Sequence, residues 1–167
     1  MSAPVGIQGE FKAEQAWDSL TTLLTNQLDG VDVAKIADKD FNDQGEIIME
    51  PPSARVMYAG EAALSTSDSQ RRSYDSLYRF LILVANQDLS GSSANQAEAS
   101  LKLATIVKRV LAGARIVLSD GDISAPITYI AMEPVPTVGV GMAYGVAFEV
   151  PGLAQFPGDN AYPLGGD

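Results

Sequence analysis

The 167-residue chain has no cysteine and no histidine. The first absence excludes disulfide frameworks, thiolate nucleophiles and iron–sulfur ligation. The second removes Ser-His and Cys-His triads, and the two together remove the usual zinc sites. Basic residues are scarce as well. Eleven Lys and Arg stand against twenty-one Asp and Glu, for a net charge of -10, which opposes sequence-independent binding of a phosphate backbone to the outer surface. No window holds the roughly 18 apolar residues of a membrane span. The opening Met1-Ser2-Ala3-Pro4-Val5-Gly6 has neither a basic region nor an apolar stretch behind it, so a soluble, unexported chain is expected, and a cysteine-free one fits a reducing cytoplasm.

What is present suits one domain with one core. A compact chain of this length buries roughly 70% of its unfolded surface, and 46% hydrophobic residues supply the material. Residues 1–10 are small and mixed and read as an arm. Over residues 11–28, Phe11, Trp17, Leu20, Leu23, Leu24 and Leu28 recur every three or four positions, which predicts an amphipathic helix stopped at Gly30. Residues 31–37 read as a short strand followed by a polar turn region. Glu46-Ile47-Ile48-Met49-Glu50 is either a brief edge strand or a helical turn, ended by Pro51-Pro52. Residues 54–59 read as a strand ending at Gly60, and residues 61–70 as a long projecting hairpin loop.

Arg71-Arg72 opens the next predicted strand. Its Tyr78, Phe80, Ile82 and Val84 form one apolar side, and its other side turns apolar at Leu81, Leu83 and Ala85, as in a strand at the middle of a sheet. Ser93 with Gln96 matches a capping box and starts a helix to about Ala112. Its predicted buried stripe is wide: Ala97, Leu101, Ala104, Val107 and Leu111, joined by Leu103, Ile106 and Val110. Short strands are predicted over 115–118 and 127–132, the second closed by Glu133-Pro134-Val135-Pro136. The last strand alternates most clearly. Val138 to Val150 at even positions are bulky, while Gly139, Gly141, Ala143, Gly145 and Ala147 leave the other face nearly bare. A helix, a further strand layer or a neighbouring subunit is expected on that bare face. Residues 151–167, rich in Pro and Gly, read as an extended tail. The fold class is therefore α+β, a mainly antiparallel sheet flanked by two amphipathic helices, with a core domain over residues 11–150.

No constellation of reactive groups emerges. Gly139-Val140-Gly141 with Gly145 lies inside a predicted strand, whereas a phosphate-cradling loop must open a helix. Asp120-Gly121-Asp122 and the set Asp38, Asp40 and Asp43 offer oxygens to a hard cation, but the glutamate of a full calcium loop is not at the required offset. They read as solvated turns. Glu46, Glu50, Glu61 and Glu133 show no spacing that argues for a shared glycosidase cleft. No catalytic, cofactor-binding or metal-binding residue is assigned, and no cofactor is expected. Two features point to contacts instead. Arg71, Arg72 and Arg79 cluster cations in an acidic chain, to pair with carboxylates of their own fold or of a neighbour. The tail aromatics, Phe156 and Tyr162 above all, are either unordered or anchors that dock on a partner.

In this order, the helix over 11–28, the segment Arg55-Val56-Met57-Tyr58-Ala59-Gly60, the arginine-led strand over 72–84 with its Ile82-Leu83-Val84-Ala85-Asn86 end, the helix ending Val110-Leu111-Ala112-Gly113 and the terminal Tyr144-Gly145-Val146-Ala147-Phe148-Glu149-Val150 resemble the tail terminator (tail completion) proteins of long-tailed bacteriophages, the Mu-type family in particular. The resemblance covers residues 11–150. It implies a non-enzymatic virion subunit at the tail-neck junction, assembled in the host cytoplasm, that closes into a homo-oligomeric ring, usually a hexamer. Such a ring caps the tail tube, fixes tail length and offers a surface to the neck or head-completion protein. Partners would be other copies of itself, tube and possibly sheath proteins; genomic DNA would cross the lumen without specific binding, and no membrane is involved. The tail after Pro151 and the 86–92 loop depart from the family pattern. Competing readings are another neck or head-tail connector component, and a small-molecule-binding α+β domain.

Overall fold

The computed structural model describes residues 12–63, 74–87, 93–137 and 141–155. The expected arm over 1–10 and most of the expected 61–70 loop lie outside the described residues. The first apolar repeat forms α1 (Lys12–Gln27) and the second α2 (Ser93–Leu111). The strands are β1 (Asp32–Lys35), β2 (Ser53–Ala63), β3 (Tyr74–Ala85), β4 (Thr128–Thr137) and β5 (Gly141–Gln155). They make one five-stranded sheet in the order β1-β2-β3-β5-β4. All pairings are antiparallel except β1 with β2. The fold is α+β, and β3, the strand with two apolar sides, is central.

Both helices cover the same face of the sheet. Ala16, Leu20 and Leu24 of α1 and Leu103, Ala104, Val107 and Leu111 of α2 pack on the side carrying Val56, Phe80, Ile82, Val84, Val146 and Phe148. Each fully buried Leu or Phe in such a core stabilises by about 1.5–3 kcal/mol. The buried stripe of α2 is narrower than its sequence suggests. Leu101 and Ile106 are 41% and 46% exposed, because the residues facing the sheet recur at Ser100, Leu103, Ala104, Val107 and Leu111, and the two outliers fall on the opposite side of the cylinder.

A parallel β1–β2 pair needs a crossover connection, and residues 36–52 provide it without an α-helix. They run through a 3₁₀ turn at Asp38–Asp40 and a single bridge between Phe41 and Ile47, so the segment around Ile47 is neither of the two forms expected for it. The crossover covers part of the second sheet face, where Met49 is buried with Leu83, Ala85 and Ala143.

Several strands run past the stops read from their sequence. β2 passes Gly60 with a register shift between Tyr58 and Gly60 and continues to Ala63. β4 passes through Pro134 and Pro136; it is an edge strand, so a missing N–H there can face away from the sheet. β5 passes Pro151-Gly152 and ends at Gln155, within the segment expected to be a tail. Its register against β3 shifts between Ser76 and Tyr78, and Gly152 takes φ +80° there, a bulge that lets Leu153 return to the core at 1% exposure. A Cβ on Gly152 would lie 2.7 Å from the Cβ of Ala125 and 2.9 Å from its backbone nitrogen. By contrast, the strand expected over 115–118 is only a bridge between Val117 and Ile123. Those two side chains are 58% and 57% exposed, so little burial rewards a longer ladder.

Within the chain, neither a helix nor a further strand layer lies over the described part of the small face of β5. Over Gly145 lie side chains of the flanking strands: an added Cβ would come within 3.2 Å of Leu81 Cδ1 and 3.3 Å of Val135 Cγ2. Over Ala143 lies Met49 of the crossover. Neighbouring strands and the crossover, rather than a helix or a second sheet, fill the space that the missing side chains leave.

Candidate functional site

Of the three arginines singled out in the sequence, Arg79 is described and Arg71 and Arg72 are not, nor are the tail residues Phe156 and Tyr162. Arg79 stands on the second face of β3, half exposed. Its Nε lies 3.5 Å from Glu149 Oε1 on the adjacent β5, its register partner. Its cation is thus met by its own fold.

Two ion networks that sequence reasoning missed do structural work at the sheet edge and at α1. Arg55 on β2 is 5% exposed. Its Nε bonds Asp40 at 3.0 Å and its Nη2 bonds Asp32 at 2.7 Å, while Nη1 donates to the Asp32 carbonyl at 2.6 Å. Burial acts against the Arg55 cation, yet the bonds to Asp32 and Asp40 outweigh it and raise its pKa. Asp40, buried in the 3₁₀ turn, also accepts the Ala37 N–H at 2.8 Å. The network ties the crossover to β1 and β2.

Lys12 opens α1, where the helix dipole disfavours a cation. It is compensated by Asp120, at 2.5 Å, and Asp122. Burial lowers its pKa, but the hydrogen bonds to the two aspartates prevail and hold it above the ordinary lysine value. The Lys12 bond in turn holds Asp120 below the usual carboxylate range. Asp40 of the first acidic run and both aspartates of the second therefore hold cations of the chain itself, while Asp38 and Asp43 are exposed, as read from the sequence. The available signal was carboxylates at alternate positions. Their partners were not legible, since Arg55 and Lys12 lie 15 and 108 positions away from Asp40 and Asp120.

Among the described residues no group of three Asp or Glu is placed to hold a metal ion. Glu61 on β2 and Glu133 on β4 are separated by β3 and β5. Three strand spacings of about 4.8 Å put them at least about 14 Å apart across the sheet, beyond the about 5–9 Å of a glycosidase pair. Open depressions occur among the described residues. One of about 460 Å³ lies between α1 and residues 115–119, one of about 520 Å³ beside Lys35 and α1, and one of about 500 Å³ along the outer side of α2. In the second, Lys35 pairs with Asp18 and lies 4.9 Å from the Trp17 ring centre.

No protein-family model matches the chain, and no curated protein matches it significantly. Among solved structures it is similar to a chain of the "Virion of native gene transfer agent (GTA) particle", at 19% identity and a TM-score of 0.41, over 84% of this chain and 88% of that one. A superposition of that quality assigns neither fold nor role.

The surface remains the informative feature. Among the described residues, six large apolar side chains are exposed by a third or more: Ile48, Leu101, Ile106, Val117, Ile123 and Ile130. They sit on four separate pieces of structure: the crossover, the outer side of α2, the 117–123 bridge and edge strand β4. Scattered over several elements, they form no contiguous patch spanning them, and they offer no converging donors for chemistry.

Proposed function

We propose that this chain is a structural virion subunit, a phage tail terminator that self-associates into a ring, caps the tail tube and offers the joining surface to the neck. One observation carries the reading. The two pieces on which the family resemblance rests most, Val56 to Gly60 and Ile82 to Asn86, lie on adjacent strands, β2 and β3, with Asn86 just past the end of β3. Val56 pairs with Ile82 and Tyr58 with Phe80 at the centre of the sheet, and one helix precedes and one follows them in the family's order. The exposed apolar residues on separate elements add to it, since a ring subunit needs unlike patches that match on successive copies. The absence of cysteine and histidine makes an enzymatic role a poorer account.

The test is assembly in its context. In a phage whose copy of this gene is disabled, electron microscopy should show overlong tails without heads. Tails of normal length that fail to join heads would replace the terminator by a connector. Turnover of a substrate by the purified chain, abolished by one conservative side-chain change, would overturn the structural reading altogether.

A further inference from the structure

Charge along this chain is unevenly divided, and the division matches two exposed surfaces. Lys102, Lys108, Arg109 and Arg115 face only Glu98 in residues 89–119, within a molecule of net charge -10. On the outer side of α2, Lys102 and Arg109 lie along one line of the helix, with the exposed Leu101 and Ile106 to either side of it, along the shallow depression. Lys102 is loosely held by Glu98 at 3.4 Å, with both side chains largely exposed. Among the described residues no carboxylate pairs with Arg109. The crossover is the opposite. Asp38, Asp43, Glu46 and Glu50 are exposed around Ile48, itself 37% exposed. None of the four pairs with a cation among the described residues: Arg55 is taken up by Asp32 and Asp40, and the exposed Lys39 of the same segment makes no ion pair there.

The two surfaces lie on opposite sides of the molecule. α2 packs on one face of the sheet, while the crossover is pinned to the other by Met49. A single copy cannot bring them together. Resting on the self-association read above, we propose that the occupant of the α2 surface is a second copy of this chain. Its acidic crossover would lie along Leu101, Lys102, Ile106 and Arg109, with Ile48 set against the apolar pair. Such a contact is heterologous: each copy gives a basic surface to one neighbour and an acidic one to the other, so it propagates from copy to copy, and into a ring where the rotation between copies closes. Opposite charge selects the partner surface and suppresses like-with-like pairing.

The test uses two charge-reversed forms of the full chain. One carries Lys102→Glu with Arg109→Glu, the other Asp43→Lys with Glu46→Lys, and native mass spectrometry reads assembly. Wild type should form closed oligomers. Each variant alone should be shifted toward monomer by at least tenfold in concentration, since its two contact surfaces then carry the same sign. An equimolar mixture should recover assemblies of alternating composition with an even number of subunits, because acidic α2 then meets basic crossover and the reverse. That recovery also shows that both variants fold. If wild type assembles and the variants assemble equally well, the interface is elsewhere and this inference fails while self-association stands. The same holds if only one variant is affected and mixing restores nothing; α2 or the crossover then meets a different occupant. A wild type that stays monomeric at every concentration removes the interface and the self-association reading together.

Discussion

At the scale of single residues, the most consequential side chain is Arg55, and it is one that composition and periodicity disguise. It sits in Ala54-Arg55-Val56-Met57, which reads as an ordinary half-buried strand. Its alternation places it on the face opposite Val56, where an exposed cation would be unremarkable. The crossover folds over that face and buries it, together with Asp40, at 5% and 4% exposure. Removing one member of a buried pair leaves the other charge without compensation, which costs about 3–5 kcal/mol. Arg55→Met should therefore destabilise the chain by that amount in urea unfolding. Adding Asp40→Leu should cost less than the two single changes summed, by more than about 1 kcal/mol. Additive effects would mean that the two groups are solvated independently and do not act as a pair.

At the scale of elements, the amphipathic helices and the central strand were legible because a single periodicity governs each: every third or fourth residue for α1, and both sides apolar for β3. The crossover and the 115–124 turn were not, because long-range partners hold them. The 119–122 turn is fixed to the start of α1 by Lys12, and its contribution depends on pH in a defined sense. The Asp120 pKa is lowered on folding by the Lys12 bond, so its stabilisation is complete above the ordinary carboxyl value near 4 and is lost as pH falls through the lower folded value. The Lys12 pKa is raised, burial opposing and the two aspartates prevailing, so its share is complete below the ordinary value near 10.4 and is lost as pH rises through the higher folded one. Lys12→Met should cost about 1.5–3 kcal/mol at neutral pH, the range of hydrogen bonds to charged groups. That deficit should shrink as the pH is taken below about 4. Urea unfolding of both forms at neutral and acid pH reads it; a deficit that does not change with pH would make the lysine a packing residue and not an ionic tie.

At the scale of the whole molecule, the sequence marks the class of fold but misplaces its end. Pro151-Gly152 in a Pro/Gly-rich stretch is the ordinary signature of a strand finishing, yet here the pair forms a bulge inside β5. Proline needs no partner for a missing N–H, glycine accepts the left-handed φ, and the chain re-enters the sheet opposite Tyr74 to Ser76. The Ala125 N–H donates to the Pro151 carbonyl at 3.0 Å, so the bulge also anchors the segment that leads into β4. Leu153 then completes the cluster that joins both helices to the sheet. The boundary of the folded unit should accordingly fall after Gln155 and not after Val150. A chain ending at Gln155 keeps Leu153 and all of β5 and should unfold in urea at nearly the full-length midpoint. A chain ending at Val150 loses the burial of Leu153, about 1.5–3 kcal/mol for a leucine, along with the pairing of the first residues of β3. Its midpoint should fall accordingly. Equal midpoints for the two truncations would mean that residues 151–155 add nothing to the core, and that the stretch is the appendage its composition suggests.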